Sequence, residues 1–440
     1  MIKSLEILNF KSIKKASLEM KNFNLFCGDN ASGKTTVIHS ILAVIQQNTH
    51  NEDLDGELVK IGNFTEIRNK ETGGSVSVNL LTTNNVSKTI TLKANTNAML
   101  QQTSILIQKP KKIDIVFEKN LFYLSSNRIG VVDTYSKSNS KFGINGEAFI
   151  SFLSLNQSKQ LNPKYLQVFS HMFPNEKIVN RFLDYVRFWL KYITNEDINL
   201  EQIPYTNQYV VTFGDTQDKH RPINTGSGLS YVLPIIVMCL GVMIDSQEAI
   251  TIIENPEVYL HPMAQIKLTD FLVMMSKFSQ IIVETHSDHV LKRVIEQMNI
   301  NNEIFVFNNS NGSTTIKTLN HKDFKLHPIS YSEIQYRAFD LLSTDLHIIL
   351  YSTLHQKYIS SQQTKHVKKG ITFFDAHLNT IIGPTLIKPR SYEGKQYKTL
   401  PTYIRHCIDH PEQIDPSSNQ KYEYTTEDLK RSIDFMFTLL

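Results

Sequence analysis

The sequence predicts an α/β fold with β-rich and helical insertions, followed by an α-helical C-terminal domain. Three observations carry this. Short alternating strands at the amino terminus run straight into a Gly-rich loop and a helix. Apolar strands recur over Ala249–Glu254, Gln280–Glu284 and Glu303–Phe307 with helical spacing between them, the rhythm of a largely parallel sheet covered on both faces. Beyond Leu326-His-Pro328 the strand signals stop.

Taken in order, Ile2, Leu5, Ile7 and Phe10 alternate with polar residues, and Ala16–Met20 and Asn24–Cys27 supply two more short strands. Lys34–Gln47 carries apolar residues at 37, 38, 41, 42 and 45, which is helical spacing. Residues 50–120 read as a β-rich insertion. Ser75–Leu81 and Lys88–Leu92 alternate around an Asn84-Asn85 turn, and Lys111–Phe117 and Leu121–Leu124 follow. The Ser/Gly/Asn-rich stretch 131–145 reads as a mobile loop. Residues 146–195 read as helical, with Phe149, Phe152, Phe169, Phe173, Phe182, Tyr185, Phe188 and Trp189 packing a core of their own. The chain therefore divides into an N-terminal lobe 1–145, a helical subdomain 146–200, a second α/β lobe 201–328 and a helical domain 329–440. The last helix should begin at Thr425 or Thr426, where Glu427 and Asp428 favour its positive end.

The 440 residues are 41% hydrophobic and 20% charged, an ordinary balance for a globular protein, with a net charge of +4 that permits nucleic-acid contact without arguing for it. Cys27, Cys239 and Cys407 show no metal spacing, which suits a reducing cytoplasm. The start lacks a signal-peptide core, and the apolar stretch Tyr231–Ile244 is too short to span a bilayer, so no membrane partner is expected.

The segment Gly28-Asp-Asn-Ala-Ser-Gly-Lys-Thr35 fits G-x-x-x-x-G-K-[ST], between a strand and a helix as that pattern requires. Gly28 and Gly33 let backbone N–H groups, with Asn30, Ser32 and Thr36 beside them, turn inward around phosphate oxygens. Lys34 would reach the β and γ phosphates of ATP, and Thr35 would hold Mg²⁺. The strand Ala249–Glu254 ends in a carboxylate suited to Mg²⁺; the plain alternative is a strand-end charge in solvent. Asn255 can orient a water but cannot take its proton, which leaves Glu257 as the nearby candidate base. His286, at the end of the next strand, could donate to the γ phosphate, supported by Thr285 and Ser287. Gly226, Ser227, Gly228 and Ser230 gather small and hydroxyl residues at a helix start, either a second anion site closing over the ATP of a partner copy or simple N-capping by Ser230.

These residues, with Asn9-Phe-Lys-Ser12 and Tyr123–Gly130, resemble the ABC-type ATPase heads of the RecF/SMC and OLD-like superfamily. Over roughly 1–325 the chain is similar to small stand-alone ATPases of bacterial anti-phage defence systems of the Septu, retron-associated or PARIS kind. The resemblance implies an ABC-ATPase head. Gly28–Thr36 would be its Walker A, Gly226–Ser230 its signature, Glu254 its Walker B and His286 its H-loop. Arg128 would lie near the nucleotide. It also implies a head-to-tail dimer holding two ATPs and a switch acting on an effector protein, a nuclease among the candidates. Asn255 stands where many such ATPases carry glutamate, so slow hydrolysis is expected. No long heptad region separates the halves, which excludes a coiled-coil SMC or repair protein.

In the tail, Arg405, His406 and His410 fit the R-polar-x₃-H pattern of HEPN-like domains, many of them RNases or toxins. An arginine and a histidine could assist 2′-hydroxyl attack on RNA such as tRNA. The alternatives are a docking or dimerisation domain and, for the whole chain, a DNA-binding clamp. Basic clusters at Lys109–Lys112 and Lys365–Lys369 could touch phosphates but suit solvated surface equally.

Overall fold

The computed structural model describes residues 1–440 other than 48–53, 63, 94–103, 109–119, 131–133, 137–141, 207, 215–218, 225, 245–247 and 362–369. The expected strand at Lys111–Phe117 and both basic clusters lie outside the described residues. The chain divides into two compact units, Met1–His321 and Lys322–Leu440.

In the first unit, β1 (Ile2–Phe10), β2 (Ile13–Glu19), β4 (Val76–Thr82), β5 (Ser87–Lys93) and β6 (Ser104–Gln108) form an antiparallel sheet in the order β2-β1-β4-β5-β6. The second sheet has the order β14-β13-β3-β12-β11-β7. It uses β3 (Phe23–Gly28), β7 (Leu121–Leu124), β11 (Ile250–Glu254), β12 (Gln280–Thr285), β13 (Asn302–Ser310) and β14 (Ser313–Thr318). All its pairings are parallel except β13 with β14. Every residue of β3, β11 and β12 is buried, as continuous apolar strands covered on both faces require.

Helix α1 (Lys34–Gln46) packs between the sheets. Its Val37, Ile38, Ile41 and Leu42 join Leu5, Ile7, Val78 and Leu80 from one sheet and Phe26, Ile252, Ile282 and Phe307 from the other in one core. Each such side chain contributes about 1.5–3 kcal/mol on burial. That core fixes the ends of β3, β11 and β12 relative to the start of α1. After the short α2 (Phe64–Ile67), helices α3 (Phe149–Asn156), α4 (Pro163–Met172) and α5 (Phe182–Thr194) hold the aromatic run. Trp189 is fully buried, donates Nε1–H to the Tyr165 hydroxyl at 2.8 Å and meets the Phe271 ring at 4.7 Å.

Three features of the first unit differ from the sequence reading. β8 (Thr134–Ser136) falls within the stretch read as a loop and pairs with β10 (Gln208–Phe213), which pairs in turn with β9 (Ile198–Gln202). The helix expected from Tyr231 begins four residues earlier, as α6 (Ser227–Gly241). The N-cap of α6 is therefore Gly226, so Ser230 lies inside the first turn and is not a cap. Helices α7 (Pro262–Met275) and α8 (Asp288–Glu296) complete the unit.

The second unit holds α9 (Tyr331–Phe339), α10 (Thr344–Ser361), α11 (Ile371–Asn379), α12 (Leu400–Asp409) and α13 (Thr426–Thr438). It also contains a hairpin absent from the helical expectation, β15 (Ile387–Tyr392) with β16 (Lys395–Thr399). Buried Asp375 fastens this hairpin to α11, accepting from the N–H groups of Lys398 and Thr399 and from the Thr399 hydroxyl at 2.8, 3.1 and 2.6 Å. Helix α13 starts at the expected place, with Thr425 and Asp428 forming a reciprocal capping box.

Candidate functional site

The Gly-rich loop leaves β3 and enters α1 through Gly33, whose φ of 106° is left-handed. A Cβ on Gly33 would stand 2.4 Å from Thr314 Oγ1, and one on Gly28 would stand 2.1 Å from the Phe307 carbonyl oxygen. The loop is braced from outside, because Thr314 Oγ1 bonds the Ser32 carbonyl at 2.9 Å and Ser12 Oγ at 2.8 Å. Buried Lys34 donates Nζ–H to the carbonyls of Gly28 and Asp29 at 2.9 and 2.7 Å and to Ser32 Oγ at 3.3 Å. Burial pulls its pKa down, with the Glu284 carboxylate partly offsetting this. This is a desolvated ammonium on neutral oxygens beside a helix start whose first N–H groups have no side-chain cap. Both features fit the triphosphate that the loop pattern implies. Asn30 is exposed, and Thr35 and Thr36 are half-buried.

The strand tips bring together more than the sequence suggests. β12 lies directly beside β3, and β11 lies one strand further out. Glu254 and Glu284 are register partners across β11 and β12, both buried. Glu254 Oε1 accepts from the Tyr123 hydroxyl at 2.8 Å, and Oε2 accepts from the Ser126 N–H at 3.0 Å. The Thr35 hydroxyl lies 2.9 and 3.1 Å from the two oxygens of Glu284, a residue the sequence reading passed over. Burial, then the charge of Glu254, pushes the Glu284 carboxyl up to about 7. A glutamate inside an otherwise apolar strand was the available signal, since such a charge is rarely buried without a task.

Asn255 sits at φ 44° and donates its N–H to the Glu284 carbonyl at 2.8 Å. Arg128, nearly fully buried, clamps this turn. Its guanidinium donates to the carbonyls of Glu254 at 2.5 Å and Asn255 at 2.6 Å and lies 5.9 Å from the Tyr231 ring centre. Glu257 Oε1 accepts from the His286 N–H at 2.8 Å, and burial raises the Glu257 pKa. Asn255 Oδ1 and Glu257 Oε2 are buried without a hydrogen-bond partner, two acceptors that suit a bound water or ligand donor. The His286 ring is exposed, close enough to Lys34 and the Gly28 carbonyl for both to influence its pKa, which is lowered chiefly by burial. Ser287 is used as the N-cap of α8, accepting from the Val290 N–H.

Gly226 is exposed with open space where a Cβ would be, whereas a Cβ on Gly228 would lie 2.7 Å from the Tyr259 carbonyl. Ser230 is buried. Ser227 opens α6. This segment adjoins the turn after β11, and Tyr231 and Tyr259 meet at 4.8 Å.

In the second unit Arg405 and His410 have different partners. Five residues on a helix turn through about 140°. Arg405 pairs with Asp409 at 3.0 Å and lies over Tyr351 on α10, while His410 stacks on Tyr392 of β15 at 4.6 Å. His406 is buried against Tyr397 and Tyr392, its pKa pulled down to about 4 by burial and then by Arg390. Arg405 and His410 thus each make contacts of their own. Among the described residues, no group of three or more His, Cys, Asp or Glu side chains forms a metal cage, and no helix is long and apolar enough to cross a membrane.

A family model described as "AAA domain, putative AbiEii toxin, Type IV TA system" matches residues 23–292. Short segments match DNA replication and repair protein RecF of Clostridium beijerinckii (37% identity over 65 residues, 14% of this chain and 18% of that protein) and of Clostridium tetani (40% over 60 residues, 13% and 16%). The matched segments are thus under a fifth of those relatives' length. Among solved structures, an SmcHead bound to the C-winged helix domain of ScpA aligns with 14% identity and a TM-score of 0.45, covering 73% of this chain and 98% of that one. The SMC head domain from Thermotoga maritima aligns with 12% identity and a TM-score of 0.40, covering 72% and 99%.

Proposed function

The chain belongs to this AAA-domain family, among the ABC-type ATPases of the RecF/SMC superfamily, and from that premise we propose that it is an ATP-driven switch controlling an effector in anti-phage defence. The observation that carries the nucleotide reading is Lys34, a buried ammonium whose hydrogen bonds all end on neutral oxygens of its own loop. A triphosphate supplies the missing countercharge. The helix α1 N–H groups then bind phosphate oxygens, and Lys34 exchanges loop carbonyls for them. Thr35, with a strand-tip carboxylate, would hold Mg²⁺, which neutralises phosphate charge when bound. Asn255 and Glu257 orient water, and Glu257, with its pKa raised by burial, is the group able to accept a proton. His286 stands beside Gly28 and Lys34, where it can donate toward the γ phosphate.

With no carboxylate at 255, turnover is slow and the bound nucleotide holds a state. A switch requires only that ATP bind one state better than another. Two copies would pair head to tail, each closing Gly226–Ser230 over the other's ATP, and the second unit would dock the effector. Arg405 and His410 make separate contacts, which favours an effector that is a separate protein. Binding of a fluorescent ATP analogue and phosphate release, measured for wild type, Lys34→Ala and Glu254→Gln, test the reading. Wild type should bind with slow release and Lys34→Ala should lose binding. A wild type that binds no ATP overturns it.

A further inference from the structure

We propose that Glu284, rather than Glu254, is the carboxylate that holds the nucleotide's magnesium together with Thr35. This deepens the ATP-binding reading and rests on it. The topology places β12 between the loop strand β3 and β11, so Glu284 is one strand nearer the phosphate loop than Glu254. Adjacent strands lie about 4.8 Å apart, which decides which of two register partners reaches a hydroxyl on α1. The Thr35 hydroxyl lies within hydrogen-bond distance of both Glu284 oxygens, at 2.9 and 3.1 Å.

Glu254 is engaged elsewhere. Tyr123 occupies one oxygen and the Ser126 N–H the other, and these bonds tie the end of β11 to β7 and the segment after it. To take a cation Glu254 would have to share oxygens already accepting. Glu284 needs to give up only a bond to Thr35, the residue beside which it would share the ion. A hydroxyl can donate to a carboxylate and still offer lone pairs to a metal.

A second observation points to a ligand beside the pair. Asn255, whose N–H is bonded to the Glu284 carbonyl, has its side-chain oxygen buried with no partner, and so has Glu257 Oε2. Magnesium takes one or two protein carboxylates and fills the rest of its shell with waters and phosphates, so one carboxylate, one hydroxyl and nearby unfilled acceptors suffice. In this arrangement Glu284 holds the ion and Glu254 is a positioning residue that fixes the strand tips.

The test is binding of a fluorescent ATP analogue to the full chain, first in EDTA and then across a magnesium titration, with Mn²⁺ electron paramagnetic resonance on the nucleotide complex as a direct count of the ion. Glu284→Gln, which keeps an acceptor for Thr35, should retain the EDTA affinity and require roughly tenfold more magnesium for half-saturation. Glu254→Gln should leave that midpoint within about twofold and lower thermal stability instead. If Glu284→Gln proves unstable, Glu284→Asp, which keeps the charge but withdraws it from Thr35, should raise the midpoint likewise. A wild-type midpoint in the Glu284 variants, or a raised one in Glu254→Gln alone, overturns the proposal. A wild type that fails to bind the analogue even in EDTA fails the ATP-binding reading, and this proposal falls with it.

Discussion

Arg128 shows how a single residue holds the strand tips in place. Its two guanidinium nitrogens donate to consecutive carbonyls, those of Glu254 and Asn255, and no lysine can span both. Its burial lowers its pKa to about 10, with Glu257, Tyr231 and Glu254 acting against that, so it stays charged at neutral pH. Arg128→Met should leave both carbonyls without donors and cost about 2–4 kcal/mol, read as a lower urea midpoint. A loss under about 1 kcal/mol would show that the clamp is dispensable. Asn255 belongs to the same turn and sits in the left-handed region that asparagine tolerates best after glycine. Asn255→Glu should therefore cost about 1 kcal/mol in stability while ATP binding persists, a melting-curve measurement. The sequence made Lys34, Thr35 and His286 legible because motif spacing marks them. Glu284 was not, because its role depends on β12 lying beside β3, which is a tertiary fact.

At the level of elements, the aromatic helices and the cap of α13 were readable because periodicity and capping are local. The hairpin β15–β16 was not, since its strands are polar and largely exposed and leave no hydrophobic pattern. Its local signal was Glu393-Gly394, both at positive φ as a two-residue hairpin turn needs. The two units also contain separate reporters. The chain has one tryptophan, and Trp189 is fully buried in the first unit, so its emission follows that unit. In the second, His347 on α10 is buried against Ser432 at 3.0 Å with its other ring nitrogen unpartnered, and burial, then Arg405, pulls its pKa down to about 3. The unfolded histidine titrates near 6.5, so the unfolded chain binds the extra proton first. Stability from the neutral ring is complete above that pH and is lost as the pH falls toward 3, by about 2 kcal/mol at pH 5. Helical circular dichroism should therefore melt more easily at pH 5 than at pH 7. His406 in the same unit, pulled down to about 4, adds to the acid sensitivity, so His347→Gln, which can keep a bond to Ser432, should weaken the dependence without abolishing it. An equal acid sensitivity in that variant would assign it to other groups.

At the scale of the whole molecule, the phosphate loop and the Gly226–Ser230 segment stand at different strands of the second sheet. The phosphate loop follows β3, whereas the Gly226–Ser230 segment adjoins the turn after β11, toward the β7 end of the sheet. The proposed dimer closes this arrangement by setting the segment of one copy over the ATP of the other. Gly226 gives a clean test, because it has an ordinary extended backbone, is exposed and has nothing within 4 Å of a would-be Cβ. Gly226→Glu should leave the melting of the single chain within about 0.5 kcal/mol of wild type. In a closed dimer the same carboxylate would face a partner's phosphates and be repelled. Light scattering with a non-hydrolysable ATP analogue should then show dimers for wild type and monomers for Gly226→Glu, with analogue binding to the monomer retained. Gly228→Glu cannot replace it, because the added Cβ would collide with the Tyr259 carbonyl and confuse folding with assembly. If Gly226→Glu dimerises as wild type does, the segment is only the start of α6, and ATP must signal through a route within one chain.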